Sequence, residues 1–220
     1  MKPLIIFGAA ELAEVAWYYF VHDAGAEVRA FTVDPEFVRS DTFCGLPVIA
    51  FSQVEREFPP RENNLFVAVS YTRLNALRAE RCDQAKTKGY RLRTYVSSKA
   101  TVWPDLSVGE NGFILEDNTI QPFVRIGNNV TLWSGNHVGH HSRIGNNCFI
   151  TSHVVVSGGV VIGDNSFVGV NATIRDHVKI GRSAVIGAGA LITQDVPDQG
   201  VMTQAAAELS RVPSSRLRKI

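Results

Sequence analysis

The chain has 220 residues, enough for one large domain or two modest ones. Its 22 lysines and arginines against 21 aspartates and glutamates leave a formal charge of +1, which argues against a general nucleic-acid binder. No stretch approaches the roughly 20 apolar residues that a membrane helix needs, and Cys44, Cys82 and Cys148 are odd in number and scattered, so the expected protein is cytoplasmic, with reduced thiols and no membrane contact.

The first 95 residues alternate strand-like and helix-like segments. PLIIFGA (3–9) is a buried-strand run, ELAEVAWYYFVHDAG (11–25) has helical apolar spacing and a glycine stop, and EVRAFTVD (27–34) is a second strand. LPVIA (46–50), NLFVAVS (64–70), a long polar helix over 72–88 and YRLRTYV (90–96) continue the pattern. Strands separated by helices predict a parallel sheet with crossover helices, at this size a small Rossmann-like domain over 1–95.

From Val96 onward the pattern changes. Every sixth residue through Val102, Val108, Ile114 and on to Ile192 is Val, Ile or Leu, and the positions four after each are mostly small or aliphatic. A period of six with two inward positions predicts a β-helix of hexapeptide repeats over 96–220. A superposed period of 18, seen in Val108-Gly109, Ile126-Gly127, Ile144-Gly145, Ile162-Gly163 and Ile180-Gly181, predicts three hexapeptides to each triangular coil. Residues 18 apart then stack about 4.8 Å apart. The tail after Val196 loses the period and is expected to cap the solenoid.

Three of the six histidines, His137, His140 and His141, lie in GNHVGHHSRIG (135–145). In the frame set by the inward Val138, all three point out of the prism. His140 shares a column with Pro122, Gly158 and Asp176, and His141 with Phe123, Gly159 and His177. The Gly158-Gly159 pair therefore predicts a bare strip of backbone beside two imidazoles, on which an extended ligand can lie. By phase, His153 and His177 are also outward and are read as surface or subunit-contact residues.

Hexapeptides after a small Rossmann-like domain, with the segment VGHHSRIG, resemble bacterial sugar acyltransferases of the left-handed β-helix class. These include enzymes that N-acetylate nucleotide-linked 4-amino sugars and the sialic-acid O-acetyltransferase-like group. The resemblance implies a homotrimer with active sites between subunits and acetyl-CoA as co-substrate, with no metal. It also implies a nucleotide-sugar acceptor acylated on an amino or hydroxyl group during surface polysaccharide or O-antigen synthesis.

The family's catalytic base matches His140, with His141 as the other candidate. The family's acyl-CoA contacts match Gly158, Gly159, Gly169, Val170 and Asn171, with Gly187 and Ala188 beyond. The acceptor would meet the loop Gly8-Ala9-Ala10, Asp34 and His137. Three positions depart from the pattern. His141 stands where a carboxylate often follows the base, Phe149 stands where a second histidine contacts the acetyl group, and the first loop lacks its usual glycines and histidine. An imidazole, with a reference pKa of about 6.5, suits removal of a proton from an amine or hydroxyl attacking a thioester.

Two other readings remain open. The histidines His137, His140, His141 and His177 could hold zinc between subunits, as in hexapeptide enzymes of the carbonic anhydrase type. Alternatively, the solenoid could be a trimeric scaffold whose first domain senses a nucleotide or sugar. The closing basic residues Arg211, Arg216, Arg218 and Lys219 are candidates to meet CoA phosphates.

Overall fold

The computed structural model describes residues 2–205 and Arg216. Its first part is a sheet built from β1 (Leu4–Phe7), β2 (Val28–Val33), β3 (Thr42–Phe43), β4 (Leu46–Ala50) and β5 (Asn64–Val67), in spatial order β3-β4-β2-β1-β5. All neighbours pair in parallel except β3 and β4, which form a small antiparallel hairpin that the periodicity did not reveal. The helices are α1 (Glu11–His22), a single turn α2 (Val54–Glu57) and α3 (Ala76–Thr87).

β1 is buried on both faces because successive side chains leave on opposite sides. Leu4 and Ile6 pack with Ala13, Ala16 and Phe20 of α1. Ile5 and Phe7 pack with Cys82 and Ala85 of α3. A helix on each face explains why this strand reads as an unbroken apolar run.

Two boundaries differ from the sequence expectation. The helix expected over 72–88 starts only at Ala76, because Arg73, Leu74 and Asn75 take left-handed φ values of 51°, 50° and 68°. Nor does 90–96 form one strand. Leu92 bridges to Leu65 in the first sheet, whereas Tyr95 and Val96 pair with Phe113 and Ile114 in the next.

From Tyr95 the chain winds through three parallel sheets of five, seven and five strands. Every strand is two residues long, and up to Leu191–Ile192 each pairs with the strand 18 residues away, so that Arg125 is opposite Arg143 and His137 opposite Val155. The inward residues at six-residue intervals from Ile114 to Ile192 are all buried. Burial falls off toward the open end of the stack, where Val96 and Val108 are half-buried and Val102 is 37% exposed.

Each corner needs one residue with positive φ, and from Asn111 to Gly189 every sixth residue supplies it. Asparagine, aspartate, histidine and glycine adopt this conformation most readily, which accounts for their recurrence there. Close stacking explains the glycine that follows inward residues such as Ile126, Ile144 and Ile162. A Cβ on Gly127 would come within 2.8 Å of the Asn146 side chain and 2.9 Å of its backbone nitrogen.

The winding also continues past Val196. Val196 bridges to Ile180, and Val201–Met202 pair with Val185–Ile186 at a spacing of 16, so the coil shortens by two residues. The capping tail beyond Ala205, with Arg211, Arg218 and Lys219, lies outside the described residues.

The two parts are joined by buried polar groups and aromatic rings. Asn111 accepts from the Val67 N–H at 2.8 Å and donates to the Val67 carbonyl at 3.1 Å. Arg78, on α3 and 2% exposed, sends its guanidinium into the solenoid. It donates to Asn129 Oδ1 at 2.9 Å, to the carbonyls of Asn129, Asn147 and Cys148, and to Val69 and Ser70 in its own domain. Burial lowers its pKa to about 10, so it remains charged near neutral pH. Its partners are all neutral acceptors, and its cation also lies 5.4 Å from the centre of the Phe149 ring.

Arg78→Met should keep the volume but leave those buried carbonyls without a donor. A loss of more than about 2 kcal/mol is expected, since each unmet buried acceptor costs roughly 1–3 kcal/mol. Calorimetry should read this as a melting temperature lowered by roughly 4–8 °C for a chain of this size.

Candidate active site

The corner between the sheet containing His137–Val138 and the sheet containing Arg143–Ile144 carries both candidate bases. His140 and His141 are exposed and His137 is half-buried on the adjoining face, as the phase of Val138 predicts. His141 occupies the left-handed position with φ 61°. Its Nδ1 is 3.1 Å from Nδ1 of His140. The His140 backbone N–H donates to Gln121 Oε1 at 2.8 Å, and the His141 ring tilts against Phe123 with centres 4.7 Å apart. The pair is thus held from both sides.

Gly158 lies one coil on, directly against the His140 ring. A Cβ there would meet Cε1 at 2.8 Å and Nε2 at 2.9 Å. Its N–H has no acceptor among the described residues, although Gly159 N–H donates to the His140 carbonyl at 2.8 Å and His177 N–H to the Gly158 carbonyl at 2.9 Å. At the equivalent position of another corner, the N–H groups of Glu110, Asn128 and Asn146 are taken by side-chain oxygens of Asn128, Asn146 and Asp164. The corner at Gly158 thus presents a polar hydrogen beside an imidazole.

The strip is not bare, however. His177 lies against Gly159 from the far side, at a distance no Cβ would tolerate. The glycine pair is therefore framed by His140 below and His177 above. Column arithmetic already put His177 next to Gly159; what it lacked was the direction of the ring.

The remaining acyl-CoA candidates are on a different edge. Gly169, Val170, Asn171, Gly187 and Ala188 line the corner between the Phe167–Val168 and Thr173–Ile174 sheets, across a whole prism face from His140. Val170 and Ala188 are exposed, and their N–H groups also have no acceptor among the described residues. Within one chain, the two sets do not meet.

Phe149 is accounted for by docking rather than chemistry. It is buried on the face that receives the first domain, stacked with Phe167 at 6.1 Å and capped by Tyr71 at 5.2 Å. Thiol chemistry has no group available in the core, because burial pushes both Cys82 and Cys148 up to about 12. Among the described residues, no group of three or more His, Cys, Asp or Glu side chains converges to hold a metal ion.

In the first domain, Gly8, Ala9, Ala10 and Asp34 line one cavity of about 440 Å³ at the carboxyl ends of β1 and β2. This is where open α/β sheets take their ligands. Gly8 has φ 126°, and a Cβ there would come 2.7 Å from the Ala68 carbonyl, so glycine is required. Ala10 caps α1 without a side-chain bond, leaving first-turn N–H groups for an anion. Asp34 is not free: Arg81 Nη2 and Nε donate to Oδ2 at 2.6 and 3.1 Å. Arg81, unnoticed in the sequence, therefore belongs to this site together with Arg39 and Phe37.

Residues 123–158 and 159–194 match the family model described as bacterial transferase hexapeptide, six repeats. No curated protein matches the chain by sequence. Three solved structures extend the likeness to the first domain. A mutant of perosamine N-acetyltransferase from Caulobacter crescentus, in complex with CoA and GDP-perosamine, is 24% identical with a TM-score of 0.83, covering 93% of this chain and 94% of that one. The acetyltransferase domain of PglB from Neisseria gonorrhoeae is 22% identical with a TM-score of 0.82, covering 93% and 97%. WeeI from Acinetobacter baumannii is 18% identical with a TM-score of 0.71, covering 91% and 96%. The resemblance to hexapeptide-class sugar acetyltransferases thus holds for the fold of nearly the whole chain.

Gly158→Ala tests the contact with His140. The new methyl meets only the far end of a side chain, so the fold should survive with its melting temperature within about 2 °C of the parent. The displaced imidazole should change the reactivity of His140 toward diethyl pyrocarbonate. Unchanged reactivity would mean that the ring does not rest on Gly158.

Proposed function

We propose that the protein is an acetyl-CoA-dependent acetyltransferase acting on an amino or hydroxyl group of a nucleotide-linked sugar, with His140 as general base. The observation that carries this reading is the pairing of an exposed imidazole with the unbonded N–H of Gly158. A base beside a hydrogen-bond donor is what attack on a thioester carbonyl needs. In support, perosamine N-acetyltransferase shares the fold and was solved with CoA and GDP-perosamine.

In this reading, His140 Nε2 takes the proton of the acceptor amine or hydroxyl as nitrogen or oxygen attacks the thioester carbon. The Gly158 N–H stabilises the negative charge on the carbonyl oxygen. The tetrahedral centre collapses, the carbon–sulfur bond breaks, and the proton passes from His140 to the departing CoA thiolate. His140 Nδ1–H donates to His141 Nδ1 throughout, so the base keeps one tautomer. An imidazole partner stabilises the imidazolium less than a carboxylate would.

The division between two edges supports a homotrimer of left-handed β-helices. Around a threefold axis parallel to the solenoids, the His140 edge of one protomer would meet the Val170 and Ala188 edge of the next, with Val170 lying roughly 8 Å further along the axis than His140. The pantetheine arm would then run between Gly158 and Gly159 of one chain and Gly169, Val170, Asn171, Gly187 and Ala188 of its neighbour. His137, on the face between the edges, would line the same groove.

Residues 1–95 would hold the nucleotide through Gly8, Ala9, Ala10 and the Asp34–Arg81 pair, and 96–220 would carry out the transfer in the cytoplasm. The product would serve surface polysaccharide synthesis. Nothing in the geometry favours the zinc or scaffold readings over this one.

His140→Asn should lower kcat by roughly 10²- to 10⁴-fold with the oligomer intact by light scattering. Undiminished turnover would overturn the assignment. Elemental analysis finding stoichiometric zinc would favour the metal reading instead.

A further inference from the structure

Below the histidine pair, on the side away from the glycine strip, lies a concave surface of about 620 Å³ lined by Asp105, Ser107, Phe123, Arg125, His141 and Arg143. Three features of it are unfavourable for an isolated fold. Arg125 and Arg143 are register partners on adjacent strands, both exposed on the same face, where directly opposed like charges destabilise a sheet. Neither forms an ion pair among the described residues, and Asp105 is the one carboxylate lining the surface.

The third feature is Phe123. It adopts φ 67°, a conformation that strains a bulky side chain, and its ring is 62% exposed. Asparagine, aspartate, histidine or glycine fills most equivalent corners at less strain. Strain of this kind, next to a reactive centre, points to a ligand that repays it.

We propose that this surface binds the diphosphate of a substrate, with Arg125 and Arg143 clamping the phosphates and Phe123 packing on the ring attached to them. Two arginines on neighbouring strands of one surface suit adjacent phosphoryl groups. Both the nucleotide-linked acceptor and CoA carry a diphosphate. The surface lies on the opposite side of His140 from the Gly158–Gly159 strip, which assigns it to the acceptor. The first-domain loop offers no cation of its own, reading Gly8-Ala9-Ala10-Glu11, and Arg81 is already engaged by Asp34. The assignment to the acceptor rests on the acetyltransferase reading; binding of a diphosphate does not.

The test has two arms. Calorimetry with inorganic pyrophosphate should detect binding that weakens about tenfold or more in Arg125→Ala and in Arg143→Ala, as loss of a charge-assisted contact implies. In steady-state kinetics the same variants should raise KM for the nucleotide sugar at least tenfold and leave KM for acetyl-CoA within twofold. Phe123→Gly should melt no lower than the parent, because strain is relieved, yet raise the acceptor KM.

No pyrophosphate binding by the parent protein, or equal binding by the variants, would overturn the diphosphate site whatever the reaction proves to be. A rise in KM for acetyl-CoA alone would overturn its assignment to the acceptor. Dissociation of the oligomer in both arginine variants would mean that they meet a neighbouring protomer's carboxylates, and would also overturn the proposal.

Discussion

The phase of the inward aliphatic ladder governs the rest of the structure. Because the buried residues from Ile114 to Ile192 recur every six positions without a break, each coil has to sit in register on the one before. A one-residue slip would turn the aliphatic side chains outward and put polar ones in the core. Register, in turn, aligns columns of side chains 18 residues apart. Much of the solenoid site is built from such neighbours: His140 on Gly158, His177 on Gly159, His141 on Phe123 and Arg125 beside Arg143. The solenoid thus converts a linear spacing into a two-dimensional grid, and the chemistry is written on its outer face.

The corners add a second constraint. One residue in six must take positive φ, so the choice of residue there is limited to types that tolerate it or to positions where strain is accepted. His141 and His177 satisfy the backbone and face outward at the same time. Phe123 does not satisfy it comfortably, and its place beside His141 makes it the corner most in need of a ligand to explain it.

The solenoid was legible in the sequence because its period is exact to the residue, and the phase alone placed His140 and His141 outside. What periodicity does not encode is direction within a column. It therefore missed that His177 closes over Gly159, and it took the strip as bare. In the first domain, Asp34 entered only through the family resemblance, whereas Arg81 was hidden in what read as a plain polar helix. The helix start failed for a local reason, since three consecutive left-handed residues ending at Asn75 have no periodic signature. Phe149 makes sense only with the tertiary contact in hand. It joins Phe167, Tyr71 and Arg78 in fastening the first domain to the solenoid, a role that cannot be read from a hexapeptide frame.

The account stands on His140 and Gly158 facing one groove that a neighbouring chain completes. A crystal structure of the protein with acetyl-CoA tests this directly. The account predicts a trimer in which the thioester carbonyl oxygen accepts from the Gly158 N–H, with His140 Nε2 at the thioester and the pantetheine arm passing Val170 and Ala188 of the adjacent protomer. A thioester bound elsewhere on the solenoid, or bound within one chain without a neighbour's edge, would contradict it.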